Sequence, residues 1–224
     1  MKIYINPSNQ PDNLYADGKH NERDVMREVA ALVADALKRC GQTVKVGTGM
    51  KSGVKESNAW GANVHVPIHS NACAGHMATG PRVFYGRAEA QAKTVHAVLW
   101  DVVGGAKVEP TREKLYEINN VTADTIYIEV AFHDNPKECK LILSRKAEIA
   151  EAICKGLCEA YGVKYVPEES QGDGVASWAK DAAEWCKANG VFVGDGKGNY
   201  DWQRPVTRQE LAAVLYRFAR LGKS

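Results

Sequence analysis

The chain lacks any apolar run long enough to span a membrane as a helix. It also lacks a charge imbalance. Its 29 Lys and Arg residues nearly match its 27 Asp and Glu residues, for a net charge of +2. That balance gives no electrostatic case for a nucleic-acid partner. The N-terminus, Met1-Lys2-Ile3-Tyr4-Ile5-Asn6-Pro7, turns polar within a few residues and lacks the apolar core of a signal peptide. The expectation is a protein that works inside the cell or leaves it by a route other than general secretion. No Cys-x-x-Cys pair occurs among the six cysteines, which argues against a thiolate zinc cluster. Cys40, Cys73, Cys139, Cys154, Cys158 and Cys186 read as reduced and mostly structural. Cys154 and Cys158 stand four apart in a helical pattern and are expected to pack side by side. Cys73 lies close to His69, but its neighbours Ala72 and Ala74 offer nothing to lower a thiol pKa, so a Cys–His nucleophile is disfavoured.

What is present is an ordinary globular composition, 45% hydrophobic and 25% charged over 224 residues. That length holds one large domain, or a medium and a small one. Lys2 to Asn6 reads as a first strand, and Pro7 to His20 as an irregular loop. From Glu22 the period changes: Val25, Met26, Val29, Val33 and Leu37 fall at helical spacing, and Gly41 stops the helix. Thr43 to Val46, Val64 to Ile68, Arg82 to Tyr85 and Ile126 to Val130 read as further strands. Gly47 to Ala62 reads as a loop with a short helix. Ala88 to Val103 is a second amphipathic helix, and helical segments follow Asp134-Asn135-Pro136 as far as Tyr161.

Strands alternating with helices imply right-handed crossovers. The expected fold class is α/β, a mainly parallel twisted sheet flanked by helices on both faces. Val166 to Gly174 mixes Pro, Gly and acids without period and reads as a linker. Beyond it Trp178, Ala182 and Trp185 start a helix, and Gly194 to Gly198 form a turn. Thr207 with Glu210 forms a capping box for a last helix carrying Leu211, Val214, Leu215 and Phe218. The expected organisation is a domain at 1–164, a linker at 165–174 and a small helix-loop-helix module at 175–224.

Chemistry concentrates at the ends of two strands. Val64-His65-Val66-Pro67-Ile68 is a buried strand closing on His69, Ser70 and Asn71. Ligands in open α/β sheets bind at such carboxyl ends. Glu129 ends the run Ile126-Tyr127-Ile128, and a carboxylate buried there requires a cationic partner. Glu22 opens a helix, where the dipole favours an acid in any case. One His and one Glu as ligands, with a second Glu unattached, fit a hydrolytic zinc site.

Three segments carry a resemblance: Asn21-Glu22, Ile68-His69-Ser70-Asn71-Ala72, and Ile128-Glu129-Val130-Ala131-Phe132-His133-Asp134-Asn135-Pro136. In this order they resemble the zinc-dependent N-acetylmuramoyl-L-alanine amidases of the type 3 family, over roughly the first 160 residues. That family cleaves the amide between muramic acid and L-alanine in peptidoglycan. The resemblance implies Glu22 and His69 as zinc ligands and Glu129 as the catalytic general base and acid. The family's first histidine, in an Asp-Pro-Gly-His segment, is missing; Asn6-Pro7-Ser8-Asn9-Gln10 stands there, with Asn9 in the histidine's place. A catalytic zinc takes three protein ligands and an open position. The third is then Gln10, His20 or water. Gln10 is favoured because it reaches one methylene further than Asn9, while His20 has the better donor but sits two residues from Glu22.

The C-terminal module resembles a single S-layer homology unit, through Trp178 to Gly190 and Pro205 to Leu211. Such units bind cell-wall polymers, usually three together. One copy implies weak attachment or assembly through oligomers. Trp202, Arg204 and Arg208 are the candidate contacts to an anionic sugar. The implied partners are peptidoglycan and a secondary cell-wall polymer. The implied role is that of a phage or prophage endolysin, or of an autolysin, made in the cytoplasm and acting at the wall after release. The competing readings are a wall-binding pseudoenzyme that has lost zinc, and a different zinc hydrolase acting on the stem peptide.

Overall fold

The computed structural model describes residues 1–167, 175, 177–195, 200–202 and 204–221. The chain divides into two compact units, Met1–Pro167 and Glu168–Ser224. Most of the expected linker, from 168 to 174, and part of the expected 194–198 turn lie outside the described residues.

In the first unit, strand β1 (Lys2–Pro7) leads through a long loop to helix α1 (Glu22–Arg39). Strand β2 (Thr43–Val46), helix α2 (Met50–Trp60) and strand β3 (Val64–Asn71) follow. Strand β4 (Arg82–Tyr85), helix α3 (Glu89–Val103), the two-residue strand β5 (Thr111–Arg112) and the short helix α4 (Tyr116–Asn119) come next. Strand β6 (Asp124–Phe132) and helices α5 (Pro136–Ser144) and α6 (Lys146–Ala160) complete the unit. The six strands form one sheet in the order β2-β1-β3-β6-β4-β5. The pairs β1–β2, β1–β3, β3–β6 and β4–β5 are parallel, while β4 runs antiparallel to β6. The expected class is what is observed, with β5 and α4 as additions.

Alternation along the strands gives the sheet two unlike faces. Ile3, Ile5, Val64, Val66, Ile68, Ile126, Ile128 and Val130 join one buried cluster with Val25, Met26, Val29, Val33 and Leu37 of α1 and with apolar residues of α3 and α6. The intervening positions Tyr4, Asn6, His65, His69, Tyr127 and Glu129 are polar or aromatic. Helices α2 and α4 pack toward this second face, against β1 and β6 respectively.

Two glycines permit close approach. A Cβ on Gly53 of α2 would lie 2.3 Å from Asn6 Oδ1, and one on Gly156 of α6 would lie 2.9 Å from the Cα of Val95 in α3. Gly156 thus lets α3 and α6 meet backbone to backbone, which outweighs the cost of glycine inside a helix.

In the second unit, a 3-10 turn (Ser177–Ala179) precedes helix α7 (Lys180–Ala188), and helix α8 (Arg208–Phe218) closes the chain. The expected capping box is present: Glu210 N donates to Thr207 Oγ1 at 3.2 Å and Thr207 N donates to Glu210 Oε2 at 2.8 Å. Ala183 and Val191 are buried, whereas Trp178, Leu215, Tyr216 and Phe218 are exposed. Among the described residues, no helix is long and apolar enough to cross a membrane.

Candidate active site

The polar face becomes a site where β3 and β6 end together. His69 and Glu129 are register partners on these adjacent strands, so their side chains leave the sheet side by side. Glu22 reaches the same place from the first turn of α1, whose start is fixed by Asn21, accepting from the N–H of Asp24 at 3.0 Å. The Glu22 and His69 side chains are almost fully buried. Glu22 Oε1 lies 2.8 Å from His69 Nδ1. The backbone N–H of Ser70 also donates to that oxygen, at 3.3 Å.

Gln10 comes from the loop after β1. Its Nε2 is 3.4 Å from the same His69 Nδ1, and its Oε1 accepts from Asn13 Nδ2 at 3.0 Å. Asn13 Nδ2 also donates to Glu22 Oε2 at 2.7 Å. A half-turn of the Gln10 terminal amide would exchange its ends and present oxygen to the His69 side. Asn9, in the histidine's place of the resemblance, is exposed. His20 is also exposed and pairs with Asp17 at 2.6 Å, outside this group. The structure therefore gathers Glu22, His69, Gln10 and Glu129, and leaves Asn9 and His20 aside.

One acid in the site has no counterpart in the sequence reading. Glu117, on α4, is 1% exposed. Its Oε2 lies 3.6 Å from His69 Nε2, on the far side of the ring from Glu22. It also accepts from Asn6 Nδ2 and lies 3.4 Å from His65 Nε2. Tyr127 stacks on the His69 ring at 4.8 Å between centroids. The imidazole is thus held in plane by an aromatic face and turned by Glu117, so that Nδ1 points at Glu22 and Gln10. This is the arrangement in which an outer carboxylate orients a ligating histidine. The sequence signal for Glu117 was thin: an acid between Leu115 and Ile118, in a stretch without period.

The remaining residues of the two motifs support this group. Ser70 Oγ bridges Tyr15 Oη at 3.0 Å and His133 Nδ1 at 2.9 Å. His133 stacks on Tyr15. Asp134 Oδ2 accepts from the Cys73 N–H at 2.8 Å, and Asn135 caps α5 through its side chain.

The electrostatics follow from three carboxylates around one imidazole. Burial opposes a charge on His69, but Glu117 and Glu22 outweigh it and raise its pKa to about 10. Burial likewise opposes ionisation of Glu117, yet its donors His65, His69 and Asn6 hold it at about 2. Glu22 is also held below the usual carboxylate range, because hydrogen bonds from His69 and Asn13 overcome its burial. Glu129 goes the other way: burial, with the Glu22 charge adding to it, pushes its carboxyl up to about 8 against the pull of His69. Its Oε2 is enclosed and has no hydrogen-bond partner. Even with His69 protonated, the Glu22 and Glu117 carboxylates leave this group short of positive charge. Glu22 and His69 present oxygen and nitrogen donors of the kind a divalent cation takes, and Gln10 does so with its amide turned.

Residues 6–159 match the family described as N-acetylmuramoyl-L-alanine amidase. The chain belongs to that family. Members of it are peptidoglycan amidases, and metal dependence is a property of the family. Residues 172–212 match the S-layer homology domain, which marks a cell-wall-associated protein. The germination-specific N-acetylmuramoyl-L-alanine amidase of Bacillus subtilis is 28% identical over 195 residues, covering 75% of this chain and 82% of its own. The fold is shared with an N-acetylmuramoyl-L-alanine amidase from Clostridium difficile 630, at a TM-score of 0.68 and 22% identity, over 73% of this chain and 97% of that one. It is shared also with the catalytic domain of the CD27L endolysin targeting Clostridia difficile, at a TM-score of 0.62 and 22% identity, over 71% and 97%.

In the second unit of this amidase, Trp202 stacks on Tyr200 at 5.5 Å, and its ring lies 5.0 Å from Phe192. Arg204 is engaged by Glu210 of the capping box. Trp202 and Arg204 line one concavity with Phe192, Tyr200 and Val206, and Arg208 stands at the exposed start of α8. Of the three candidate wall contacts, two therefore share a cavity.

Proposed function

We propose that this amidase hydrolyses the bond between N-acetylmuramic acid and L-alanine with zinc held by Glu22, His69 and Gln10, and with Glu129 as the proton carrier. The observation that carries this reading is the enclosed, unpartnered Glu129 Oε2 beside the imidazole on which Glu22 and Gln10 converge. Zinc bound by these donors would polarise the scissile carbonyl and lower the pKa of water. Glu129 takes the proton from the attacking water as the C–O bond forms. It returns that proton to the L-alanine nitrogen as the C–N bond breaks. The products are a free lactyl carboxylate on the muramic acid and an intact stem peptide with a free amino terminus. Glu117 does not touch the substrate in this scheme. It holds the His69 Nε2 proton, so that Nδ1 is the nitrogen left to the metal when the imidazolium gives up its other proton.

Residues 175–224 serve as a wall-attachment module for a secondary cell-wall polymer, with residues 1–164 as the catalytic domain. An aromatic cavity lined by Trp202 and flanked by Arg204 suits a sugar face bearing negative charge. A single module with Leu215, Tyr216 and Phe218 exposed supports attachment through several copies together. The protein acts at the wall as an endolysin or autolysin.

Mass spectrometry of digested cell walls tests the bond assignment. Wild type should release stem peptides beginning at L-alanine, and Glu129→Gln should release almost none while keeping its zinc. Fragments cut within the stem peptide would instead mark the chain as a peptidase.

A further inference from the structure

A second cluster of metal-binding side chains lies far from the active site. Cys40 caps the C-terminus of α1, and Cys154 and Cys158 stand one turn apart on α6. Their three sulfur atoms lie within 4.8 Å of one another. All three residues are buried, Cys154 completely, and all are free thiols. Glu22 and Cys40 mark the two ends of α1, and 18 helical steps of 1.5 Å separate them by about 27 Å. The thiol cluster is therefore independent of the amidase site.

We propose that Cys40, Cys154 and Cys158 form a structural site for a thiophilic divalent ion of the zinc class. The spacing fits. Sulfurs about 2.3 Å from a tetrahedral zinc stand roughly 3.8 Å apart. Cys40 Sγ and Cys154 Sγ are 3.7 Å apart. A disulfide between them would need an S–S distance of about 2.05 Å, so the sulfurs would have to close by nearly half.

The surroundings fit as well. The backbone N–H of Val166 donates to Cys40 Sγ at 3.2 Å, and that sulfur lies 3.6 Å from the Val166 carbonyl. Burial pushes the Cys154 and Cys158 thiols up, so the ion must displace their protons. Arg39 donates through Nε to the Val166 carbonyl at 3.1 Å and through Nη2 to Glu151 at 2.5 Å. Tyr165 Oη donates to the other oxygen of Glu151, also at 2.5 Å. Three thiolates and a divalent ion carry a net charge of −1, and the adjacent Arg39–Glu151 pair adds no net charge to it. Binding releases the three thiol protons and breaks no other bond. The ion would join the end of α1, the last turns of α6 and the chain at Val166. That clamp sits where the first unit ends, at Pro167.

The test uses the full chain, reduced with a phosphine, stripped of metal and titrated with Cd2+ without oxygen. Sulfur-to-cadmium charge transfer absorbs in the ultraviolet, whereas the oxygen and nitrogen donors of the amidase site give no such band. The band should saturate at one Cd2+ per chain and should be displaced by Zn2+. Cys154→Ser should weaken Cd2+ binding at this band at least 100-fold, and Cys73→Ser and Cys186→Ser should leave it unchanged. The His69→Ala variant should retain the band in full, separating this site from the amidase centre. Absence of the band in folded wild type would overturn the proposal, without reference to any variant. So would a Cys40–Cys154 disulfide in protein alkylated at the moment of lysis.

Discussion

Glu117→Gln is the substitution that isolates orientation from ligation. The carboxylate faces three donors: Asn6 Nδ2, His65 Nε2 and His69 Nε2. A carboxylate offers about four lone-pair sites on two oxygens, whereas glutamine offers one oxygen and a competing NH2 group. At least one donor therefore loses its acceptor. His69 is the most exposed to that loss, because its contact is the longest of the three. Losing such an outer partner typically weakens metal binding by about 10–100-fold, which is roughly 1.4–2.8 kcal/mol. The assay is a zinc competition titration against a chromophoric chelator, with circular dichroism to verify the fold. Wall-lytic activity at limiting zinc should fall in parallel and recover as zinc is raised. Zinc affinity within twofold of wild type would refute the orienting role and reduce Glu117 to a partner of Asn6 and His65.

Gln10→Ala should lower zinc affinity and activity, whereas His20→Ala should change neither; the reverse pattern in the same titration would assign the third ligand to His20. Glu129→Gln should alter the pH dependence of stability in chelator. The carboxyl is raised to about 8 when folded, so its stabilising contribution is full below about 4.5 and is lost as pH rises through 8. Denaturation at pH 5 and pH 9 should then show the variant gaining on wild type at the higher pH. Gly156→Val drives a side chain into Val95, 2.9 Å from the Cβ position. Overpacking of about 1–3 kcal/mol should lower Tm by roughly 2–12 °C in a calorimeter. Removing residues 175–224 should leave a folded, zinc-binding amidase that sediments less with purified walls; equal sedimentation would remove the attachment role.

The regular parts of the catalytic unit were legible because each has a clean period. Val25 to Leu37 repeats at helical spacing, and Ile126, Ile128 and Val130 alternate. Glu22, His69 and Glu129 were legible because each interrupts such a pattern with a polar group at an element's end. Glu117 was not, because a four-residue helix offers no period and its partners lie 48 to 111 positions away in sequence (Asn6, His65 and His69). The thiol cluster was hidden for the same reason. Cys154 and Cys158 are neighbours by helical spacing, but Cys40 joins them across 114 positions. Only the packing of α1 on α6 brings it there. The strand β5 is two residues long, below what alternation can reveal.

The two faces of the sheet carry a consequence for how this protein can change. Core and chemistry share the same backbone: Ile128 and Glu129 are consecutive, as are Ile68 and His69. On the proposed reading, a point substitution at Glu129 or His69 removes catalysis while sparing the hydrophobic side, and replacing an enclosed charge there can leave the fold more stable than before. An insertion or deletion of one residue in β3 or β6 has no such latitude. It turns the strand over beyond that point, sending Glu129 or His69 into the aliphatic layer and Ile128 or Ile68 out of it. Catalytic decay by substitution and collapse by frameshift of the pleat are therefore separable fates, and inactive relatives that retain the fold should differ from this chain by replacements rather than by length in these two strands.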